Sequence, residues 1–392
     1  MKALLYRYGS VCEPDIIDTL KRLGFEVIEE TAEIYNKQLT PKESMENVNR
    51  LLQKHSFSFV FTINFFPWLS ELCNICRLTY ISLFVDSPVL ELYSHSIQNP
   101  CNKIFLFDSA LYNEFYRYNP DNIFYTPLAT NMLHNDQICT SASSSANRRF
   151  SADISFIGSL YSEKCMFNEV TLPDKERGFS DGIIEAQLKI YGYNFIEDVL
   201  SDDFVETFIK NAPNIYKFPE KYFVNYKAVV AQQYLDVKIA EQERIRALTM
   251  LSEDFSVDLY TNSDTSMMPR IHNKGFAQYR TEMPLIFKNS KINLNITAKS
   301  IRNGLSLRVF DVLGCGGFLI TNYQNDLPDL FEPGVELEVY SSLSELHDKV
   351  AYYLSHEEER LAIAKRGYEK VKKLHSYDNR MLEILSASFP EV

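Results

Sequence analysis

Glycine and proline are both scarce in this 392-residue chain, at 13 and 15 residues, and tryptophan occurs once. So little Gly and Pro excludes a collagen-like repeat and a low-complexity, mostly disordered chain. No apolar run approaches the ~20 residues that a membrane-spanning helix needs; the longest, Phe57–Phe66 and the neighbourhood of Phe318–Ile320, stop well short. The opening MKALLYRYG is too short and too interrupted for the apolar core of an export signal, and reads instead as a first strand. Basic charge is in deficit too: 40 Lys+Arg stand against 52 Asp+Glu, a formal charge of −12, with no dense Lys/Arg cluster. That balance argues against a protein that grips a nucleic-acid duplex by its phosphates, while a single phosphate pocket needs only local donors. The seven cysteines (12, 73, 76, 101, 139, 165 and 315) are odd in number and scattered, which fits reduced thiols in a cytoplasmic protein. Cys73-x-x-Cys76 has a suggestive spacing, but no second Cys or His pair adjoins it. Buried thiols are therefore expected there rather than a metal or redox centre.

What is present is core material: 45% hydrophobic residues, including 27 Phe and 24 Tyr. The length suggests two domains or one large α/β unit. Short apolar runs at Ala3–Tyr8, Phe25–Ile28, Phe57–Ile63, Tyr80–Val85, Lys103–Phe107 and Ile123–Thr126 read as strands. Between them lie helical patterns at Asp15–Leu23, Trp68–Arg77, Val89–Ile97 and Ser109–Tyr116, with Gly24 closing the first. Strands of this kind, too apolar to alternate cleanly, predict a parallel sheet covered on both faces.

The stretch CTSASSSAN (139–147) has linker composition. A second alternation follows, with strands at Asp153–Ile157, Val257–Thr261, Ile292–Ile296, Gly317–Thr321 and Glu336–Tyr340. The expected fold is therefore α/β, with two Rossmann-like domains facing each other across a cleft. The boundaries are 1–135 for the first domain, 136–150 for the linker and 151–375 for the second domain. A helical insertion occupies about 161–250, and a tail helix spans 376–392. No period of 20–50 residues recurs, so repeat architectures are not expected.

Chemistry concentrates in KSIRNGLSLRVFDVLGCGGFLITN, Lys299–Asn322. A strand enters a polar turn with Asn303 and Gly304; a helix starting near Leu305 then runs to Gly314-Cys315-Gly316-Gly317 and a second buried strand. Open α/β sheets bind ligands at such strand ends. The amides from Leu305 through Ser306 to Leu307, at the positive end of a helix dipole, suit a phosphate. Arg308 adds a fixed charge and a forked donor. Asp311, three residues on, shares its face and can accept both hydroxyls of a ribose. An ordinary helix with an i,i+3 ion pair would carry the same residues. Ser300 and Arg302 are further phosphate contacts, unless Arg302 is only a solvated charge. Tyr260 and Thr261 end a strand where a base could stack on the ring, although a core aromatic is the simpler reading. In the first domain, Asp86 follows a strand that Ser87-Pro88 stops. It suits a general base acting on an acceptor hydroxyl, or else caps the next helix. Asn64 ends the neighbouring strand and either bonds a sugar hydroxyl or caps a helix.

Asn303-Gly304, then Asp311 and Leu313-Gly314-Cys315-Gly316, resemble the E-x7-E block of GT-B glycosyltransferases. Gly304–Tyr323, Leu327–Tyr340, Leu343–Leu354 and Arg360–Gly367 together resemble the CgeB-like, spore-maturation-type glycosyltransferases. Asn64-Phe65-Phe66-Pro67, Phe84–Pro88 and Pro127–Asn131 resemble the domain of unknown function that usually precedes that transferase domain. About 161–245 carries no motif of the family. The resemblance implies a nucleotide-sugar donor, UDP-sugar favoured, bound as substrate with no separate cofactor. It also implies a glycan or protein acceptor. The sequence departs from the pattern at Asn303, an amide at the first acidic position. Where retaining relatives carry an Arg and a Lys after the first strand of this domain, the chain has Gly158-Ser159 and, further on, Lys164. Lys164 fills the Lys role and Ser159 stands at the Arg, so the stereochemical outcome stays open.

The function expected is transfer of a sugar to a hydroxyl acceptor with no metal, because Asp202-Asp203 and Asp326/Asp329 read as helix-boundary residues rather than a metal pair. A nucleotide-sugar hydrolase or epimerase, and a non-catalytic coat or surface-assembly protein, are the alternatives. Neither nucleic acid nor a transmembrane segment is expected.

Overall fold

Almost every apolar run set between helical patterns becomes a strand, and the strands form two six-stranded, wholly parallel sheets. They are seen in a computed structural model that describes residues 1–390. The chain divides into two units. The first comprises Met1–Thr130, Phe218–Val224 and the stretch from Leu374 onward; the second comprises Asn131–Lys217 and Asn225–Lys373.

In the first unit the strands are β1 (Lys2–Tyr6), β2 (Glu26–Glu30), β3 (Phe59–Ile63), β4 (Thr79–Leu83), β5 (Asn102–Leu106) and β6 (Ile123–Tyr125). Their order is β2-β1-β3-β4-β5-β6. Every residue of β3 is buried, which parallel strands with helices on both faces require. Gly24, at φ +86°, ends the helix Glu13–Arg22 as expected. The helix expected over Val89–Ile97 is instead a pair of 3₁₀ turns, Leu90–Tyr93 and His95–Gln98. The helix Tyr377–Ser388, capped by Ser376, packs on Glu13–Arg22, and Arg22 meets Asp378 at 2.9 Å. A short piece from within the expected insertion also belongs here. Ser94 bridges Tyr222, and the Phe223 amide donates to the Tyr93 carbonyl at 2.7 Å.

In the second unit the strands are β7 (Ala152–Ile157), β8 (Val257–Tyr260), β9 (His272–Asn273), β10 (Ser290–Asn295), β11 (Leu319–Asn322) and β12 (Glu338–Tyr340). Their order is β12-β11-β10-β7-β8-β9, the doubly wound arrangement of a Rossmann sheet. Its core joins Ile154, Phe156, Val257, Leu259, Ile292, Leu294 and Ile320 to Leu248 and Leu251 of the long helix Asp236–Asp254 and to Ile363. The Ser-rich stretch read as linker is helical: Met132–Ser141 and Ser144–Arg149 are capped by Asn131 and Ser143, whose side chains accept from the amides of His134 and Ala146. Within that stretch Ser143 is a cap, and Thr140 and Ser141 bond back to the carbonyls of Asp136 and Ile138, roles that composition alone does not distinguish from a flexible tether. The motif-free region holds helices Asp174–Gln187, Ile196–Val199 and Asp202–Asn211 and the π-helical turns Val229–Leu235, which run straight into Asp236–Asp254. Among the described residues no helix is long and apolar enough to cross a membrane.

Candidate functional site

In the second sheet β7 begins one half of the winding and β10 the other, so their carboxyl ends sit side by side while the loops that leave them diverge. This is the position at which open α/β sheets bind ligands. The turn after β7 carries Gly158, Ser159 and Lys164; the turn after β10 runs through Thr297 to Ser306.

The helix expected from Leu305 begins at Leu307 and ends at Gly314. Ser306 is its N-cap, extended at φ −65° and ψ 155°, and Leu305 is buried beneath it at 2% exposure. A Ser at an N-cap ordinarily accepts a bond from an amide of the first turn. Here no side-chain cap forms. The Ser306 hydroxyl instead donates to Asn295 Oδ1 at 3.2 Å, while Asn295 Nδ2 donates to Thr297 and Thr321. Ser306, Leu307 and Arg308 are each half-buried, so the start of this helix is closed neither by its own N-cap side chain nor by full burial. At the other end Gly316, at φ +73°, turns the chain back. A Cβ on Gly317 would meet the Phe287 carbonyl at 2.5 Å, which fixes glycine there.

Arg308 lies over the Phe287 ring at 5.2 Å, with Nη1 3.2 Å from Met283 Sδ and 3.7 Å from Asp311 Oδ2. The expected shared face of Arg308 and Asp311 is therefore present. Asp311 is buried and accepts from the Tyr279 hydroxyl at 3.3 Å. The polar turn is braced against the end of β11 and the segment that follows it. Asn322 Oδ1 and Nδ2 bond the amide and carbonyl of Thr297, Gln324 donates to the carbonyls of Ile301 and Gly304, and the Asp326 amide donates to the Asn303 carbonyl. Ser300 is buried, and Arg302 lies near enough to buried Asp236 to act on its charge.

On the β7 side, the Gly158 amide donates to the Tyr260 carbonyl at 3.1 Å. Ser159 donates to Glu163 Oε1 at 2.7 Å, and Ser263 donates to Glu163 Oε2 at 2.9 Å. Burial works against the Glu163 charge, yet those hydrogen bonds and Lys164 hold its carboxyl below the usual carboxylate range. Ser159 is thus committed to Glu163, and Lys164 is exposed. A guanidinium does reach this turn, but from elsewhere. Arg244 of the long helix donates to the carbonyls of Ser159 and, at 2.8 Å, Ile296, and so ties the two turns together. Tyr260 is 7% exposed, and burial, with Asp258 beside it, pushes its hydroxyl up to about 12. The core-aromatic reading fits that ring, and Thr261, also buried, accepts from the Ser263 amide.

The first sheet has its own switch point, between β1 and β3. Asn64, in a left-handed conformation at φ +55°, donates from Nδ2 to Asp86 Oδ2 at 2.8 Å and to the Tyr8 hydroxyl at 2.9 Å; its Oδ1 accepts from the Val85 amide. The ends of β1, β3 and β4 therefore converge on one polar cluster. Asp86 is exposed and caps no helix. Burial, with the charge of Asp86 next, raises the Tyr8 hydroxyl above its ordinary value. Tyr8, Asn295 and Arg244 were not singled out in the sequence. The one signal available was the pair Asn293 and Asn295 inside an otherwise apolar buried strand. Among the described residues no group of His, Cys, Asp and Glu has the arrangement of a metal site; Cys73 is buried and Cys76 exposed.

Residues 242–386 match the family model described as glycosyl transferase-like. No curated protein sequence matches the chain. Among solved structures, it is similar in fold to a glycosyltransferase from Rickettsia africae ESF-5, at 12% identity over 100% of this chain and 99% of that one, with a TM-score of 0.57. It is likewise similar to HepE of Anabaena in complex with UDP and glucose, at 10% identity over 99% and 100% of the two chains and a TM-score of 0.56. A third likeness is to sucrose-phosphate synthase from Thermosynechococcus elongatus, at 9% identity over 100% of both chains and a TM-score of 0.60. At such identities the likeness speaks for the fold: two Rossmann-like units of the GT-B kind, with the glycosyl transferase-like match lying mostly in the second and running on into the C-terminal segment of the first.

Proposed function

We propose that the chain is a glycosyltransferase of the CgeB-like branch, moving a sugar from a nucleoside-diphosphate sugar, UDP favoured, to a hydroxyl of a glycan or protein. The observation that carries this reading is the start of the helix Leu307–Gly314, left without a side-chain cap at the switch point of a doubly wound sheet. Its amides and dipole meet the diphosphate. A helix terminus contributes only about 0.3–1 kcal/mol when exposed and ~2 kcal/mol when partly buried. Enzymes typically lower a barrier by ~8 kcal/mol or more, so the terminus does not act alone. Arg308 swings from Phe287 and Met283 to the phosphates, releasing Asp311 to take the ribose hydroxyls with Tyr279. The turn, already cross-bonded to Asn322 and Gln324, presents its dipoles without rearrangement, and it is this preorganisation that stabilises the leaving group. The charge of the departing diphosphate falls to Arg308 and the helix rather than to a metal.

The first unit takes the acceptor. Asn64 fixes one oxygen of Asp86 at 2.8 Å, and the exposed carboxylate accepts the proton of the acceptor hydroxyl as the glycosidic bond forms. Thermal shift with a panel of nucleotides and nucleotide-sugars tests the donor half: ligand at 100 times its Kd adds about 2.7 kcal/mol of stability. Stabilisation by UDP, and transfer that persists in EDTA, are expected. No stabilisation by any nucleoside diphosphate would sink the reading. Donor turnover without acceptor would move it to a hydrolase.

A further inference from the structure

A group of buried charges lies behind the donor turn, and the chemistry above does not use it. Asp236 opens the long helix directly after the π-helical turns, a kind of irregularity found often at functional positions. It is 1% exposed, and both its oxygens accept from Asn194 Nδ2 at 2.9 Å. The same amide donates to the Lys299 carbonyl at 2.9 Å, and Asn194 Oδ1 accepts from the Ile196 amide. Seven residues along the helix from Asp236, and so on the same face, Glu243 lies 3.4 Å from Lys299 Nζ. That ammonium also donates to the Ile190 carbonyl at 3.5 Å and sits 4.3 Å over the Tyr191 ring. Lys299, itself buried, is thus held at its carbonyl and at its side chain by one helix and by a segment of the motif-free region.

Burying such groups costs several kcal/mol per ion unless good geometry repays it. Apolar residues would fill the same space more cheaply, so the cluster points to a role in fixing position. Lys299 lies in the turn after β10, immediately before Ser300, Arg302 and Asn303.

We propose that Asn194, Asp236 and Glu243 are positioning residues that lock Lys299 and thereby hold the turn from Ser300 to Ser306 ready for the donor diphosphate. This rests on the donor reading above and names what the motif-free region does for it. The lock has a titratable member. Burial pushes Asp236 up to about 7, with Glu197 adding to the rise; the Asn194 bonds and the charges of Arg302 and Lys299 oppose it. Glu243 faces Lys299 Nζ at 3.4 Å from the same helix. A diphosphate arriving at the turn draws on Arg302 and adds negative charge near Asp236, so donor binding near neutral pH takes up a proton.

The experiment has two arms. Hydrogen exchange of residues 299–306 in wild type and in Asn194→Ala reads the lock with no ligand present. Exchange is expected to accelerate in the variant; unchanged exchange overturns the proposal. Calorimetry with UDP, in two buffers of different ionisation enthalpy at pH 7, reads the coupling. Wild type is expected to take up a fraction of a proton more than the near-isosteric Asp236→Asn, a difference that cancels the titration of UDP itself, and Asn194→Ala to bind UDP about tenfold more weakly. Equal proton uptake in wild type and Asp236→Asn, or UDP affinity unchanged in Asn194→Ala, overturns the lock. Wild type that binds no nucleoside diphosphate, while exchange accelerates as expected, overturns the donor reading and supports the lock.

Discussion

The two switch points differ in how they are held. At the second sheet, the turn after β10 is tied by Asn322, Gln324, Asn295, Arg244 and Asn194, and most of those side chains are buried. At the first, Asn64 alone gathers Tyr8 and Asp86, and the carboxylate it holds is exposed. A rigid cradle suits a leaving group whose charge must be met without reorganisation. An exposed carboxylate on a short tether suits proton transfer to acceptors that differ in shape. The first cluster is therefore expected to govern turnover, and the second donor affinity.

The largest effect that would break this contrast is at Asp86. Asp86→Asn is expected to lower kcat by roughly 10²–10⁴-fold, the usual worth of a general base, with UDP affinity unchanged by calorimetry. Loss of UDP affinity in this variant would contradict the division of labour. Arg308→Ala should lower kcat/KM for the donor by about 10–100-fold, the scale of a lost hydrogen bond to a charged group, and should weaken UDP binding in step. At Asn64 the backbone separates two effects. Asn64→Gly keeps φ +55° accessible and removes only the side chain; about a tenfold fall in kcat is expected. Asn64→Ala adds ~1 kcal/mol or more of left-handed strain, visible as a lower melting temperature than that of the Gly variant. The smallest effect concerns Glu163. Its carboxyl is held below the ordinary value, so its contribution to stability is present above the unfolded value of ~4.3 and is lost as pH falls through the depressed folded value. The difference in melting temperature between wild type and Glu163→Gln should shrink as pH is lowered from about 5 to 3. A constant difference would show that Glu163 acts otherwise.

Local signals were strong where one element decides the outcome. Buried strands such as Phe59–Ile63, the glycine stop at Gly24, and the Gly316-Gly317 turn each follow from nearest neighbours, and the structure has them. Asn64 and Asp86 were each legible as residues at strand ends. Their bond was not, because pairing across 22 positions depends on the register of β3 against β4. The helix start moved from Leu305 to Leu307 because Ser306 takes the extended cap conformation while its hydroxyl serves Asn295, a partner that no helical pattern reveals. The lock on Lys299 lay deeper still. Asn194 sits in a stretch without motif, and its partners lie 42 and 105 positions away. A seven-residue spacing of Asp236 and Glu243 is, on its own, only two acids on a helix.

The placement of Phe218–Val224 reaches into how this protein is taken apart at the bench. The backbone passes from one unit to the other after Thr130, after Lys217, after Val224 and after Lys373, so neither unit corresponds to an uninterrupted gene fragment. A truncation ending at Thr130 leaves Tyr93 and Ser94 without the Tyr222–Phe223 edge and the helix Glu13–Arg22 without Tyr377–Ser388. Excising the motif-free region wholesale would strip the other unit at the same time. Dissection calls for joining 1–130 to the C-terminal segment and supplying the seven-residue piece as a separate peptide or a grafted loop.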